Sequence, residues 1–426
     1  MTMQPWFPDA KLGIFVHYGI YAVDGVAESW SMFNGELTPE AYLKQLDGFT
    51  ARNHDPNAWA ELFAKAGAKY AVLTSKHHDG VALWQAPHSI YNTVENTPAA
   101  RDLVTPYAEA LRAHGLKVGF YFSHIDWTHP DYATVQVERD ADVEPDPEVE
   151  PNPLSVPVDG GQDLERWARF RTHYHEQVED LVARVRPDLL WFDGEWERSD
   201  GQWAARRLGD RILELNPATI LNDRIRTHAD YASPEQSLPF TAPDGPWELC
   251  LTVNDSWGFQ HTDTNWKSAR QIVRYFTETI GLGGNLLLDV GPREDGTIPA
   301  EAADRLERLG AWIAKHAEAV YATTAGLPAG HHYGSSTLSK DRRTVYLVCY
   351  DNPRESIAVR GLRNQIRRVT VLGSGRELRH SRTGGLGGHP GHLWIEAPAA
   401  EELDEYATVL AVELDGELDL YTGTGR

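Results

Sequence analysis

Cysteine is nearly absent from this chain: Cys250 and Cys349 are the only two among 426 residues. That count excludes a disulfide framework and a thiolate zinc site, and leaves two inert thiols as the reading. A basic surplus is missing as well. Lys and Arg number 40 against 62 Asp and Glu, a net charge of −22, which repels phosphate backbones and anionic lipid surfaces and argues against nucleic acid as a partner. No run of about 18 apolar residues could cross a bilayer. The opening MTMQPWFPDAK has no basic segment followed by an apolar stretch, so the expectation is a cytoplasmic protein without a membrane partner. There is no Gly-x-Ser-x-Gly elbow and no His-Glu-x-x-His pair, and the GIYAVDG after the first apolar run lacks GxGxxG spacing. A serine hydrolase and a doubly wound nucleotide-binding sheet both lose their support.

What is present is a repeated period. With 41% hydrophobic and 24% charged residues, the composition is that of a globular protein, and the length exceeds one compact core. We therefore expect a large domain over 1–326 and a small one over 327–426. In the first, the short apolar runs KLGIFVHYG, YAVLTSKHHDG, KVGFYFSHIDW, DLLWFDGEW, TILNDRI, WELCLTVN and NLLLDVGP alternate with amphipathic stretches. Trp59, Leu62, Phe63 and Ala66 follow the i, i+3, i+4, i+7 spacing of a helix burying one face, and Pro56 suits its first turn. Such alternation predicts a parallel sheet closed as a (β/α)8-like barrel. In the second, TVYLVCYD, RRVTVLGSG, HLWIEAP and YATVLAVEL are strands between turn residues, which predicts a small C-terminal antiparallel β-sandwich. Residues 133–162, rich in Pro, Asp and Glu, read as a mobile, solvated loop.

The tips of the first-domain runs share a habit. Each ends in residues costly to bury and useful in chemistry: His17, His77 with His78, Tyr121, Asp193, Arg224. In a barrel those carboxyl ends form one face and converge on one pocket. Adjacent histidines point to opposite sides of a strand, which argues against His77, His78 and Asp79 as a ligand set for metal; Gly80 lets the strand break up after them. Fourteen tryptophans are present, and Trp30, Trp84, Trp127, Trp191, Trp196, Trp247 and Trp257 fall near these tips. Aromatic faces stacking on C–H patches, beside donors for hydroxyls, are the ingredients of a carbohydrate pocket. Cleaving a glycosidic bond needs two carboxyl groups in different protonation states. Asp193, a lone acid ending an apolar strand, is the nucleophile candidate. Glu235 in YASPEQ and Glu248 in PWELC are two candidates for the acid/base, and spacing does not choose between them. Glu195 and Glu197 are expected to be solvated.

The stretches KLGIFVHYGIYAV, DPNAWAELFAKAGAKYAVLTSKHHDGVALW, RDLV, GFYFSHIDW, LLWFDG, LNDR, PWELCLTVNDSWGF and GGNLLLDVGPREDGTIP, in this order over about 6–323, resemble the α-L-fucosidases of glycoside hydrolase family 29. The resemblance implies a retaining exo-α-L-fucosidase that hydrolyses terminal α-L-fucosyl linkages of oligosaccharides or glycoconjugates, with no metal or organic cofactor. It makes Asp193 the nucleophile and favours Glu235 over Glu248 as acid/base. His17, His77, His78, Tyr121, Trp191, Arg224 and Trp257 match the family's sugar-binding positions. Glu28 and Trp30 match a Glu-Trp pair that is adjacent in the family; Ser29 separates them here. Two further readings stay open on the sequence: a non-hydrolytic fucose-binding protein, and a metal-dependent hydrolase using His77 and His78. Homo-oligomerisation is open too.

Overall fold

A period of two decides what each barrel strand shows to either side. The computed structural model describes residues 3–138, 152–386 and 388–423. Seven parallel strands form one sheet in the order β5-β4-β3-β2-β1-β7-β6: β1 Leu12–Val16, β2 Tyr70–Lys76, β3 Lys117–Ser123, β4 Leu189–Asp193, β5 Ile220–Leu221, β6 Glu248–Thr252 and β7 Asn285–Val290. Leu12, Ile14 and Val16, Leu190 and Phe192, Leu249 and Leu251, Leu286 and Leu288 face the helices in one core. The residues between them, Phe15, Tyr121, Leu189, Trp191, Cys250 and Leu287, fill the barrel interior with Tyr70 and Val72. Asp193, Glu248 and Asp289 share that inward parity, so any carboxylate there must find a partner or a cavity.

The sheet's free edges, β5 and β6, are joined by an eighth stave that is not a regular strand. Residues 231–235 run parallel to both neighbours through the bridges Asn222↔Tyr231, Ala232↔Trp247 and Glu235↔Cys250. Backbone bonds from Glu248 N to Ala232 O (2.9 Å), Cys250 N to Pro234 O (3.1 Å) and Gln236 N to Cys250 O (2.9 Å) hold it. Pro234 has no N–H to give, which keeps the ladder incomplete. The expected (β/α)8-like barrel is thus present, with six helices of ten or more residues in the described barrel: Pro56–Lys65, Val104–Ala113, Leu164–Val185, Ala205–Leu215, Ala269–Gly281 and Ala300–Lys315. None flanks the irregular stave. The first begins as expected, with Pro56 in the first turn and the Asp55 carboxylate accepting from Asn57 and Ala58 N–H.

Two antiparallel sheets follow. One has the order β12-β15-β10-β9-β8 and the other β11-β14-β13, with β8 Thr323–Ala325, β9 Ser336–Ser339, β10 Thr344–Cys349, β11 Ile357–Arg360, β12 Ile366–Val371, β13 His380–Thr383, β14 His392–Ile395 and β15 Thr408–Leu414. Val345, Leu347, Cys349, Leu410 and Val412 meet Ile357, Val359, Leu393 and Ile395 in the core of a sandwich. The alternate residues Tyr346, Val348, Val409 and Ala411 join the barrel's helical core instead. Tyr350 shares a hydroxyl contact with Thr277 (2.8 Å), and Trp312 Nε1 donates to Ala407 O (2.9 Å).

The solvated loop expected over 133–162 lies at 139–151 outside the described residues. Its described flanks are packed: Val135 and Ser155 are buried, and Asn152 Nδ2 donates to Glu197 (3.1 Å). No helix among the described residues is long and apolar enough to cross a membrane.

Candidate active site

The inward residues of the upper barrel layer open onto a cavity of about 190 Å³, lined by Phe15, His17, Trp30, His77, Tyr121, Trp191, Asp193, Trp196, Arg224, Glu235 and Trp257. Ligand pockets for drug-sized molecules run upward of about 300 Å³, so this one is on the scale of a single ring.

Its floor follows from strand register. β3 and β4 pair Tyr121 with Trp191 and Ser123 with Asp193, which stacks the Tyr121 and Trp191 rings at 5.7 Å and 19°. It also lets Tyr121 OH donate to Asp193 Oδ2 at 2.8 Å. Across the ring of strands, Asn222 fixes the neighbouring tip: it accepts from Phe192 N (2.8 Å) and donates to Phe192 O (2.9 Å). The chain then turns through Asp223–Ile225 and delivers Arg224. Its guanidinium lies over the Trp191 ring at 4.5 Å. Nη1 donates to Asp193 Oδ1 and Nη2 to Glu235 Oε2, both at 2.7 Å. One planar fork therefore grips two carboxylates from different staves. Burial pushes the Arg224 pKa down, but Asp193 and Glu235 outweigh that and leave it raised.

The two histidines at the end of β2 both serve this region, and the register explains how. The β2–β3 pairing shifts between Thr74 and Lys76, a bulge that releases the strict alternation. Gly80, at φ 76°, turns the chain where a Cβ would strike Asp126. His77 reaches the cavity, with Nδ1 on Ser29 Oγ at 2.7 Å. His78 stands behind it with Nδ1 on Ser123 Oγ at 2.6 Å. Ser123 Oγ also accepts from Ile125 N, which fixes the hydroxyl between the backbone and the imidazole, and the opposite ring nitrogen is Nε2. That nitrogen has no hydrogen-bond partner and lies 3.6 Å from Asp193 Oδ2. Burial pushes both imidazoles well below their usual pKa, so both are neutral at pH 7. Among the described residues no group of three or more His, Cys, Asp or Glu side chains is placed to hold a metal ion. Asp79 faces away, accepting from Tyr42 OH at 2.5 Å.

His17 differs. Its Nδ1 meets Asp289 Oδ1 at 2.7 Å. Burial alone would lower its pKa, but the Asp289 carboxylate, with Glu28 and Asp193 behind it, raises it. The cavity thus pairs one cationic-leaning imidazole, His17, with a neutral one, His77. Trp257 lies against His17 at 5.0 Å.

Three candidates do not line the cavity: His78, fully buried behind His77, and the two acids Glu248 and Glu28. Glu248 begins β6 at the amino end of the barrel, fully buried. Its carboxyl accepts from Tyr70 OH and from Trp191 Nε1 (3.1 Å), and burial raises its pKa to about 7. The inward parity of its strand position shuts it beneath Trp191. Glu28 is buried too, accepting from Gly258 N–H, and burial raises it to about 7. Trp30 does line the cavity, and the intervening Ser29 holds His77. Glu195 and Glu197, expected in solvent, are not there. Glu197 is buried and bonded by Trp127 Nε1 (3.2 Å) and Tyr132 OH. Glu195 has a buried, unpartnered Oε2, and burial first, then Asp193, raises it to about 7. Of the seven tryptophans near the tips, Trp30, Trp191, Trp196 and Trp257 line the cavity. Trp84, Trp127 and Trp247 are core.

Sequence reasoning missed Asp289, Ser29 and Phe15. Asp289 carried a usable signal, since it is an acid near the end of an apolar run, as Asp193 is. Phe15 carried none, being apolar within an apolar strand.

A sequence profile described as alpha-L-fucosidase matches residues 1–318. The chain is 30% identical over 410 residues to the tissue alpha-L-fucosidase of Bos taurus, covering 89% of this chain and 82% of that one. Its fold matches alpha-L-fucosidase isoenzyme 1 of Paenibacillus thiaminolyticus with a TM-score of 0.84 and 33% identity, over 96% of this chain and 98% of that one. The alpha-fucosidase of Thermotoga maritima, solved with a mechanism based inhibitor, matches with a TM-score of 0.77 and 28% identity over 96% of each chain. With the paired carboxylates at the barrel mouth, these matches establish that the chain is a glycoside hydrolase and belongs to the alpha-L-fucosidase family.

Proposed function

We propose that the chain is a retaining exo-α-L-fucosidase acting on fucosylated oligosaccharides or glycoconjugates, with Asp193 as nucleophile and Glu235 as acid/base. The observation that carries this is the Arg224 fork, which holds both carboxylates at 2.7 Å in a cavity the size of one ring. In the first step protonated Glu235 gives its proton to the glycosidic oxygen while Asp193 attacks C1, forming a fucosyl ester and releasing the aglycone. In the second, Glu235 takes a proton from water as that water attacks C1 and frees Asp193. Tyr121 OH and Arg224 Nη1 each hold one Asp193 carboxylate oxygen and so aim the group. His17 and His77 supply donors and acceptors for sugar hydroxyls, with His78 backing His77 and Asp193, while Trp191, Trp257 and Trp30 face its C–H surfaces. A cavity the size of one ring, over a floor of buried Phe15, Tyr121 and Trp191, suits a terminal residue, hence exo action.

Asp193→Ala tests the assignment. Hydrolysis of an aryl α-L-fucoside is expected to fall by more than the ~10²–10⁴-fold an acid/base supplies. Azide should restore turnover as β-L-fucosyl azide, since a small anion then attacks from the vacated side. Undiminished hydrolysis in that variant would sink the proposal.

A further inference from the structure

Exposing a tryptophan forfeits one of the largest burial gains a side chain offers. Trp196 is nevertheless 45% exposed, while the residues on either side of it are anchored. Gly194, at φ 88°, turns the chain after β4. Glu195 O accepts from Trp203 Nε1 at 3.1 Å, and the buried Glu197 carboxylate is bonded by Trp127, Tyr132 and Asn152. The turn is pinned at both ends with its aromatic ring held outward. Trp196 lies nearly parallel to Trp30, 13° apart with centroids 6.3 Å apart. Trp30 in turn meets the edge of Phe33 at 5.2 Å, itself 43% exposed and stacked on the buried Trp127 at 5.8 Å. The result is a continuous aromatic strip, Trp196, Trp30, Phe33, starting inside the cavity wall and running outward.

We infer that this strip is the binding site for the leaving-group sugar, a pyranose that lays its C–H face on Trp196. The inference rests on the fucosidase reading above and extends it to the acceptor side. The floor of the cavity, Phe15, Tyr121, Trp191 and Asp193, is buried. Its wet rim is Glu235, whose side chain is 38% exposed, and Trp196. A substituent at C1 must pass the acid that protonates its oxygen, so it leaves the cavity along this rim. The aromatic strip continues that exit outward. Its chemistry is the flat, uncharged face that a pyranose ring recognises, not the donors and acceptors that would grip a peptide.

The test compares leaving groups with and without a ring. For Trp196→Ala, Trp196→Phe and Phe33→Ala, kcat/KM is measured on defined fucosyl disaccharides and on α-L-fucosyl fluoride, whose leaving group cannot stack. For Trp196→Ala the ratio of the disaccharide value to the fluoride value is expected to fall about tenfold, the size of one aromatic stacking contact. Trp196→Phe should recover most of it, and Phe33→Ala should lower it less. A ratio unchanged within twofold in both alanine variants would overturn the inference. A wild-type enzyme that turns over neither substrate would instead overturn the fucosidase reading on which it stands.

Discussion

The two ends of the barrel treat the same functional group in opposite ways. At the carboxyl end, Asp193 and Glu235 face a cavity and share a guanidinium. At the amino end, Glu248 is shut between the neutral donors Tyr70 and Trp191, and burial raises it to about 7. A carboxylate gripped by a guanidinium at a cavity is fixed in place and open to a ligand; one sealed with neutral donors has its pKa raised and becomes part of the packing. Only the first arrangement opens onto the cavity. Inward parity puts all three acids on the same side of the sheet, so it is depth along the barrel that separates an acid lining the cavity from one buried in the packing.

That contrast can be broken in order of expected effect. Glu235→Ala should lower kcat/KM on fucosyl disaccharides by about 10²–10⁴-fold, with a smaller loss on aryl fucosides whose leaving groups need less protonation. Comparing the two substrates in steady-state assays checks it. Arg224→Lys keeps a charge but loses the fork, and one lost charge-assisted hydrogen bond corresponds to about ten- to a hundredfold in kcat/KM. Asp289→Asn removes the charge that raises His17, so His17 should deprotonate at lower pH and any alkaline limb it sets in kcat/KM should move acidward. A pH-rate profile of wild type and variant reads this shift.

The smallest effect on activity is expected at the closed end. Glu248→Gln should leave turnover within a few-fold while changing the pH dependence of stability. In the wild type the unfolded chain releases the Glu248 proton near the usual 4.5, whereas the folded chain keeps it to about 7. Wild-type stability is therefore lost as pH rises from 4.5 to 7 on account of this group. Glutamine does not titrate, so the melting temperature of the variant relative to wild type should climb over that window and level off above 7. A flat difference would mean that Glu248 is ionised in the folded state.

Much of this was legible in the sequence because periodicity carries it. The alternating apolar runs gave the barrel, the β-rich tail gave the sandwich, and the acid closing DLLWFDG stood out against its own strand. What stayed hidden depended on depth and closure. Residues 231–235 complete the barrel with backbone bonds around Pro234, and no apolar run announces them, so Glu235 reads as loop when it sits on a stave. Glu248 at the start of WELCLT looks like a strand entering from solvent; only the ring of neighbours shows that the start of that strand is covered. Ser29 looked like an interruption between Glu28 and Trp30, yet it holds His77 by a bond that no spacing reveals.

The central claim is that the two acids at the mouth act in double displacement. The most direct measurement is proton NMR of the first fucose released from an α-L-fucoside, before mutarotation. The account predicts that α-L-fucose appears first, the configuration kept through two inversions at C1. If β-L-fucose appears first, water attacks in a single step, and Asp193 is not the nucleophile.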